Sequence, residues 1–536
     1  TAVESCSMPP KTNESLPILE YENEHFSLEN ELHDRSSSQT CKSLSASSSD
    51  GKKNRVGILA YLCRLEQRMD EKFGLESEAI IRKLPENRKA VKWYEELSMA
   101  LLWASGTMNL ACCSTGFLGW SFGLSLKQSL LCCIFGSILG SSVTGYLATF
   151  GAATGLRQMS ISRYSFGWWP NKLVALLNVI QQIGWAAVGC ITGGIALSAV
   201  ASHHLSPRVG VVIIAAISFC FSLLGLRVIL VYERYAWIVF FVIFMILFGE
   251  AAPYVDNKTP TSLEGSALPG AVLTLLAIVY GSSASWCTIA SDYYVEYPAN
   301  ENRIKVFLLT TLGLAVPTSI GMTAGAVAAS TLNNQPAWKD AYDEGIGDAL
   351  LNIFRPSGFS HFLVVMLMLS AVNVNIMNTY SAGLSIQQMA KPLSAVPRFI
   401  WTFLCFAITI GLGVGGSSDL NQYLQSFLSL LGYWCTSYFI IILEEHAFIR
   451  RGKFTNYNLD AWNDPNKLPH GIAAAVAFGL GVVAWVMGMS EDWYVGPLAD
   501  LFEGSSGGDM ANEFTFVVTG TSYLPLRMIE LSYFGR

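Results

Sequence analysis

From Leu97 to its last residue the chain is poor in charge. Asp, Glu, Lys and Arg make up 14% of its 536 residues, against about 25% in an ordinary soluble domain. The shortage is uneven: the first 96 residues hold 31 of these side chains and the remaining 440 hold 43. That distribution excludes a soluble multidomain protein, a disordered chain and a secreted disulfide scaffold. An excess of positive charge is missing too. The formal net charge of −6 argues against nucleic acid as a partner. No Gly-x4-Gly-Lys-Ser/Thr sequence occurs, so nucleotide hydrolysis does not power this protein. No His/Cys/Asp cluster has metal-ligand spacing within an apolar run, and the sequence implies neither a metal nor a cofactor. The twelve cysteines form no framework. Cys6, Cys41 and Cys63 precede the first apolar run, and the other nine lie inside such runs. The adjacent pairs Cys112–Cys113 and Cys132–Cys133 read as small apolar packing residues.

What the chain has is long apolar runs. A membrane-spanning helix needs about 20 apolar residues. Residues 97–126, 128–156, 173–207, 209–226, 265–291, 306–338, 356–390, 399–418, 420–443 and 468–490 are each free of Asp, Glu, Lys and Arg. Residues 235–255 form another run, interrupted only by Glu250 near its end. A short twelfth, 514–526, follows an acidic loop. The fold class is therefore an all-α polytopic membrane protein with twelve transmembrane helices. Its 46 glycines suit close helix packing in lipid.

Positive charge sets the orientation. With the N-terminal tail inside, the inner connections beyond it hold 15 Lys and Arg and the outer ones hold five. The positive-inside rule then places both termini in the cytoplasm. Residues 1–55 are rich in Ser and acidic residues and read as a disordered cytoplasmic tail with no signal peptide. Residues 56–96 are a cytoplasmic segment before the first span; 56–92 look helical and of mixed charge, a surface helix or a gating element. Residues 97–526 are the twelve-helix domain, and 527–536 a cytoplasmic C-terminus. Asn257-Lys-Thr is a glycosylation sequon in an external loop, disfavoured by Pro260.

Two spans carry small polar residues at their middles: Ser105-Gly106-Thr107 in the first, and 281–285 (Gly-Ser-Ser-Ala-Ser) in the sixth. They lie five spans apart. Interrupted helices in corresponding positions of two halves point to a transporter with inverted repeats and a site at the breaks. The breaks bring unpaired backbone groups to mid-membrane, where a polar solute can use them. The eighth span holds Asn373, Asn375 and Asn378. Amides in lipid are costly without partners, and Asn375 and Asn378 share a helix face. An amide both donates and accepts, which suits the edge of a neutral heterocycle; glue between helices is the alternative. The third span has Asn178, Gln181, Gln182 and Trp185, and the sixth has Trp286. Two tryptophans well inside their spans could sandwich a flat ring. The basic loop from Gly155 to Gly167, with Arg157 and Arg163, reads as positive-inside anchoring.

At these residues the sequence resembles the nucleobase–cation symporter family, in its fungal purine–cytosine permease branch. The motifs that carry the likeness are Gly155 to Gly167, Leu176 to Trp185, Ala284-Ser-Trp286 through Asp292, the Asn375/Asn378 helix, and Trp493-Tyr-Val-Gly-Pro497 with the Tyr-Phe-Gly terminus. The resemblance covers about 56–536. It implies a five-plus-five inverted-repeat, LeuT-type fold. It also implies alternating access, with cytosine or a purine such as adenine, guanine or hypoxanthine entering alongside a proton at the plasma membrane. It further implies a substrate site of Ser105, Trp185, Trp286, Asn375 and Asn378. The family's Asn-Asn-Ile-Pro-Asn pattern has Val374 for its first Asn and Met377 for its Pro. Gly189 and Thr107 stand where Asn is usual. These departures bear on the substrate more than on the fold, and related members carry other heterocycles, including vitamin B6.

Competing readings are weaker. Gly345-Ile-Gly-Asp348 with Tyr342-Asp343 matches intramembrane aspartyl proteases in letters. Those carboxylates would have to come from two membrane helices, and here both sit in one acidic external loop. A channel would need charged rings or a filter-like repeat. A nucleoside carrier, a pyridoxine carrier or a non-transporting nutrient sensor shares the same fold. Proton coupling normally uses an ionisable group within the membrane. Only Glu250, Asp292 and Asp419 lie near span ends, and Asp292 is the nominal candidate.

Overall fold

The computed structural model of the protein describes residues 81–88, 93–222, 226–394, 396–503 and 507–536. The tail expected over 1–55 and the helix expected over 56–80 lie outside the described residues. Each of the twelve apolar runs is met by helix. The first run holds α1 (Trp93–Thr107) and α2 (Leu110–Ser121). Then come α3 (Leu126–Thr154), α4 (Pro170–Val200), α5 (Pro207–Ser222), α6 (Leu226–Ala251), α7 (Ala267–Ala284) and α8 (Arg303–Ser330). Two short helices, α9 (Pro336–Glu344) and α10 (Ile346–Ile353), precede α11 (Ser357–Met389), α12 (Arg398–Gly416) and α13 (Leu420–Glu444). The last pair is α14 (Ile472–Gly488) and α15 (Ala511–Phe534). Eight helices in the described residues are long and apolar enough to cross a membrane; α5 and α14 are apolar but shorter.

Packing shows the repeat directly. Number the first half as α1/α2, α3, α4, α5, α6 and the second as α7, α8, α11, α12, α13, and exchange the halves in order. The α3–α8 and α4–α11 contacts map onto themselves. The α3–α7 contact maps onto α8 against α1/α2, α4–α5 onto α11–α12, α4–α12 onto α11–α5, and α7–α13 onto α1–α6. Five runs per half is an odd number, so the second half starts from the opposite side and the repeat is inverted. Helices α14 and α15 pack on each other and on α13, outside the repeat. Close approach makes the α2–α8 crossing possible: a Cβ on Gly116 would run into Met322 O, and one on Gly325 into Cys113 O. Small residues at such crossings replace the hydrophobic drive that lipid removes.

One end of the bundle is basic. There the segment 81–88 holds no α-helix, only a single 3-10 turn at Pro85–Asn87. The helical reading of 56–92 is corrected over these residues. Pro85 has no N–H, and the segment's arginines bond to the bundle instead. Arg82 donates to Thr154 O at 3.1 Å and pairs with Asp460 at 2.8 Å. Lys83 N donates to Gly155 O at 3.0 Å. Arg88 donates to Lys83 O, Ala152 O and Tyr297 O. The final helix runs past the expected 526/527 boundary to Phe534. Its Arg527 is fully buried and pairs with Glu445 at 3.1 Å and Glu530 at 3.2 Å. At the opposite end α9 and α10 cap the bundle; Asp348 pairs with His203 at 3.0 Å, and Tyr342 stacks on Phe117. The protease-like letters thus lie in two short capping helices joined at Gly345, where an open loop was expected.

Candidate functional site

Both interrupted spans are interrupted, and their loose ends are tied off. The first breaks at Met108–Asn109, just past the Ser105–Thr107 triplet. Asn109 caps α2, accepting from Cys112 N at 2.9 Å, and donates back to Gly106 O at 3.0 Å. Leu110 N donates to Ser370 Oγ at 3.0 Å. Asn373 Nδ2 donates to Ser105 O at 3.1 Å and to Ser105 Oγ at 3.0 Å. In the sixth span α7 stops at Ala284 and the chain continues as 3-10 turns Ser285–Thr288 and Ala290–Tyr293. Ser283 O accepts from Thr144 at 3.0 Å, and Ser285 O from Gln181 at 2.7 Å. The backbone groups expected to meet a solute are thus held by Asn109, Ser370, Asn373, Thr144 and Gln181.

What stays open is side-chain amide. Asn378 is fully buried, and neither its Nδ2 nor its Oδ1 has a partner. Gln182 Oε1, Asn373 Oδ1 and Asn375 Oδ1 are also buried without partners. A buried, unpaired polar group costs about 1–3 kcal/mol, so such a concentration in one region asks for a reason. Helices α4 and α11 run antiparallel, fixed by two bonds: Asn375 to Cys190, and Asn178 to Ser385 at 2.7 Å. Stepping three residues from Asn375 along α11 brings Asn378 level with Ala186 and Ala187 of α4, next in the chain to Trp185.

The two tryptophans meet. Trp185 and Trp286 lie 6.5 Å apart between ring centres, with planes 28° from parallel. Trp185 Nε1 donates to Ser285 Oγ at 3.1 Å, which fixes its ring against the broken sixth span. Trp103 packs edge-on to Trp286 at 5.8 Å, and Phe427 edge-on to Trp185 at 5.9 Å. A flat ring sandwiched by two others needs about 7 Å between them, twice the roughly 3.5 Å carbon contact. With ring centres 6.5 Å apart and planes 28° from parallel, the pair has to open to accept one. Met377 lies over Gly106, where a Cβ would also touch Trp286.

The expected residues separate into groups. Trp185 and Trp286 come together, and Asn378 follows Met377, which covers Gly106 close to Trp286. Ser105 is occupied by Asn373. Asn375 is turned toward α4 and α5: its Nδ2 donates to Cys190 Sγ at 3.2 Å and to Ser218 Oγ at 3.4 Å. The Ser218 hydroxyl proton is already given to Ile214 O at 2.8 Å, so Ser218 can only accept, and that fixes the amide's orientation. Gly189 makes room, because a Cβ there would run into Asn375 Oδ1. Asp292 lies away from the ring pair, at the basic end. It accepts from Gln158 N at 2.7 Å and stands 3.9 Å from the Arg157 guanidinium.

Sequence reasoning noted Gln181 among the polar residues of its span but gave it no role; it ties α4 to Ser285 O and to Thr288 Oγ1 at 2.8 Å, and accepts from Cys435 of α13 at 3.4 Å. Its place one turn before Trp185 was a usable signal. Asn109, Cys190 and Ser218 gave none. The anchoring role given to Arg157 and Arg163 also needs correction. Both are buried. Arg163 donates to Gln388 O at 2.8 Å and to Asn463 Oδ1 at 3.1 Å, and lies over the Trp168 and Trp462 rings. Burial lowers its pKa to about 10, which still leaves it charged at neutral pH.

Comparison with known proteins fits this geometry. Residues 83–507 match the family model described as permease for cytosine/purines, uracil, thiamine, allantoin. The purine-cytosine permease fcyB of Emericella nidulans is 35% identical over 439 residues, covering 81% of this chain and 85% of the permease. The vitamin B6 transporter TPN1 of Saccharomyces cerevisiae is 32% identical over 518 residues, covering 86% and 89%. Among solved structures, Mhp1, a nucleobase-cation-symport-1 family transporter in a closed conformation with bromovinylhydantoin bound, aligns with a TM-score of 0.65 at 12% identity. That alignment covers 85% of this chain and 96% of Mhp1, and shows the shared fold.

Proposed function

The chain belongs to the family of permeases for cytosine/purines, uracil, thiamine and allantoin, and from that premise we propose that it imports a nucleobase by proton symport with alternating access. It is an integral membrane permease and not an enzyme. In our reading it lies in the plasma membrane with both termini cytoplasmic, so the basic end faces inward. Cytosine or a purine stacks between Trp185 and Trp286 and exchanges hydrogen bonds with Asn378. The observation that carries this reading is Asn378, whose donor and acceptor are both buried and unpaired on α11, the helix packed against the span of Trp185. Ser105 and Asn375 support the site from behind, and Asp292 takes the coupling role only through its Arg157 pair.

A second solute class has its own support. Asn375 is committed to Cys190 and Ser218, Val374 and Met377 replace an amide and a proline of the family pattern, and a vitamin B6 transporter matches over most of the chain. A site with fewer free amides leans more on stacking, which suits pyridoxine. Uptake of labelled solute by purified protein in liposomes, with a competition panel of nucleobases, nucleosides and pyridoxine, decides between them. No uptake of any would leave the sensor reading. Accumulation that follows an imposed sodium gradient and ignores a pH gradient would overturn proton coupling.

A further inference from the structure

Among the described residues the apolar runs hold no Asp, Glu, Lys or Arg at their middles, but the end opposite the basic one holds a buried pair that the family comparison leaves unexplained. Between α14 and α15 the chain makes a two-residue hairpin, in which Ser490 pairs with Val495 and Glu491 with Tyr494. Glu491 is 2% exposed and Asp509 is 1% exposed. Both carboxylates reach the same hydroxyl: Tyr433 of α13 lies 3.3 Å from Glu491 Oε1 and bonds Asp509 Oδ2. Asp509 also accepts from Ala511 N at 3.0 Å, while its own N–H donates to Thr274 Oγ1 of α7 at 3.2 Å. Glu491 Oε2 is buried with no partner.

Counting protons decides what this arrangement is. One hydroxyl has one hydrogen, so Tyr433 can satisfy one carboxylate at a time; the Ser426 hydroxyl beside Glu491 and the Ser490 N–H beside Asp509 are the other donors at hand. Among the described residues no Lys, Arg or His lies within ion-pairing distance of either acid. The charged neighbours are acidic: Asp492 on the hairpin and Glu513 on α15. Helix α13 contributes Tyr433, α7 contributes Thr274, and apolar cover comes from Trp485 of α14 and from Met489 just past its end. Two bare carboxylates so placed would repel each other in a medium that cannot solvate them.

We propose that Glu491, Asp509 and Tyr433 form a proton-binding site, which holds a proton between the two carboxyls and thereby fastens the hairpin to α13 and α7. In the orientation proposed above, the site faces the external side. Burial, and for Glu491 the neighbouring Asp509 carboxylate, push both acids above the ordinary carboxylate range. The folded protein therefore binds more protons than the unfolded chain between that range and the raised values. Stability held by the site is complete at acid pH and is lost as pH rises through the raised values.

The test uses the full chain, purified in detergent without solute, so its result is separate from the fate of the transport reading. The unfolding midpoint of the unaltered protein should fall as pH is raised from about 5 to about 9. Glu491→Gln, which keeps shape and removes the titration, should flatten that fall. Infrared difference spectra should show the carbonyl stretch of a protonated acid near neutral pH, lost in Glu491→Gln. Should that variant not fold, Asp509→Asn is read in the same two ways. A pH slope and a carboxylic-acid band that survive in the folded variant would overturn the site.

Discussion

The middle of the bundle and its basic end both bury polar groups, and they treat them in opposite ways. At the basic end Arg163 is 4% exposed and reaches Gln388, Trp462 and Asn463 with hydrogen bonds, while two tryptophan rings cover its plane. Arg88 spans three carbonyls from separate parts of the chain. In the middle, Asn378 is equally buried and pairs with nothing. A saturated cluster resists rearrangement, because breaking it exposes several buried groups at once. An unsaturated amide is a standing cost that a solute can relieve. The comparison separates residues whose hydrogen bonds are spent within the fold from one whose donor and acceptor are still open.

The comparison can be broken most decisively at Asn378. Removing one partner of a desolvated hydrogen bond costs about 1–3 kcal/mol, roughly 5- to 150-fold in affinity. Asn378→Ala should lose that much solute binding by isotope or thermal-shift titration, while the solute-free protein unfolds no earlier. Asn373→Ala should do the reverse, with milder loss of binding but an earlier unfolding transition, because it strips the donor from Ser105 O. If Asn373→Ala is the worse binder, the face assigned to the site is wrong. At the other region, Arg163→Met should lower stability by about 1–3 kcal/mol for each carbonyl left unpaired, seen as a lower unfolding midpoint with solute affinity retained.

Two glycines sharpen the contrast with smaller effects. Gly155 has φ +68°, and a Cβ there would collide with Arg88 and Lys83 O. Gly155→Ala should destabilise by about 1–2 kcal/mol and free the segment 82–88 for proteolysis. Gly189→Ala should push the Asn375 amide off Cys190 and Ser218, with an overpacking cost of about 1–3 kcal/mol partly relieved by side-chain movement. Its signature is a few-fold change in the ranking of competing solutes, with uptake retained. An unchanged ranking would remove Asn375 and Gly189 from selectivity.

Deleting 1–55 should leave solute affinity intact in purified protein, since those Ser- and Glu-rich residues lack apolar periodicity. A large affinity loss would instead make the tail part of the gate.

Charge depletion and run length alone marked the apolar runs that are helical here, because lipid forbids backbone groups that are not paired within the segment. Small polar residues marked both interrupted spans for a similar reason: a break needs residues that tolerate it. That Trp185 and Trp286 pair and that Asn378 is buried could be anticipated, because tryptophan and asparagine deep in an apolar run have few structural uses. Tertiary structure alone decided the rest. Asn373, Asn375 and Asn378 look alike along the chain, yet one ties down α1, one turns to α4 and α5, and one stays unpaired. Which fate befalls each depends on Ser105, Cys190, Gly189 and Ser218, 150 to 270 positions away. Likewise a loop arginine reads as a surface anchor until Trp462 and Gln388 close over it. Sequence fixes which residues a bilayer will admit; only packing fixes which of their hydrogen bonds are already spent.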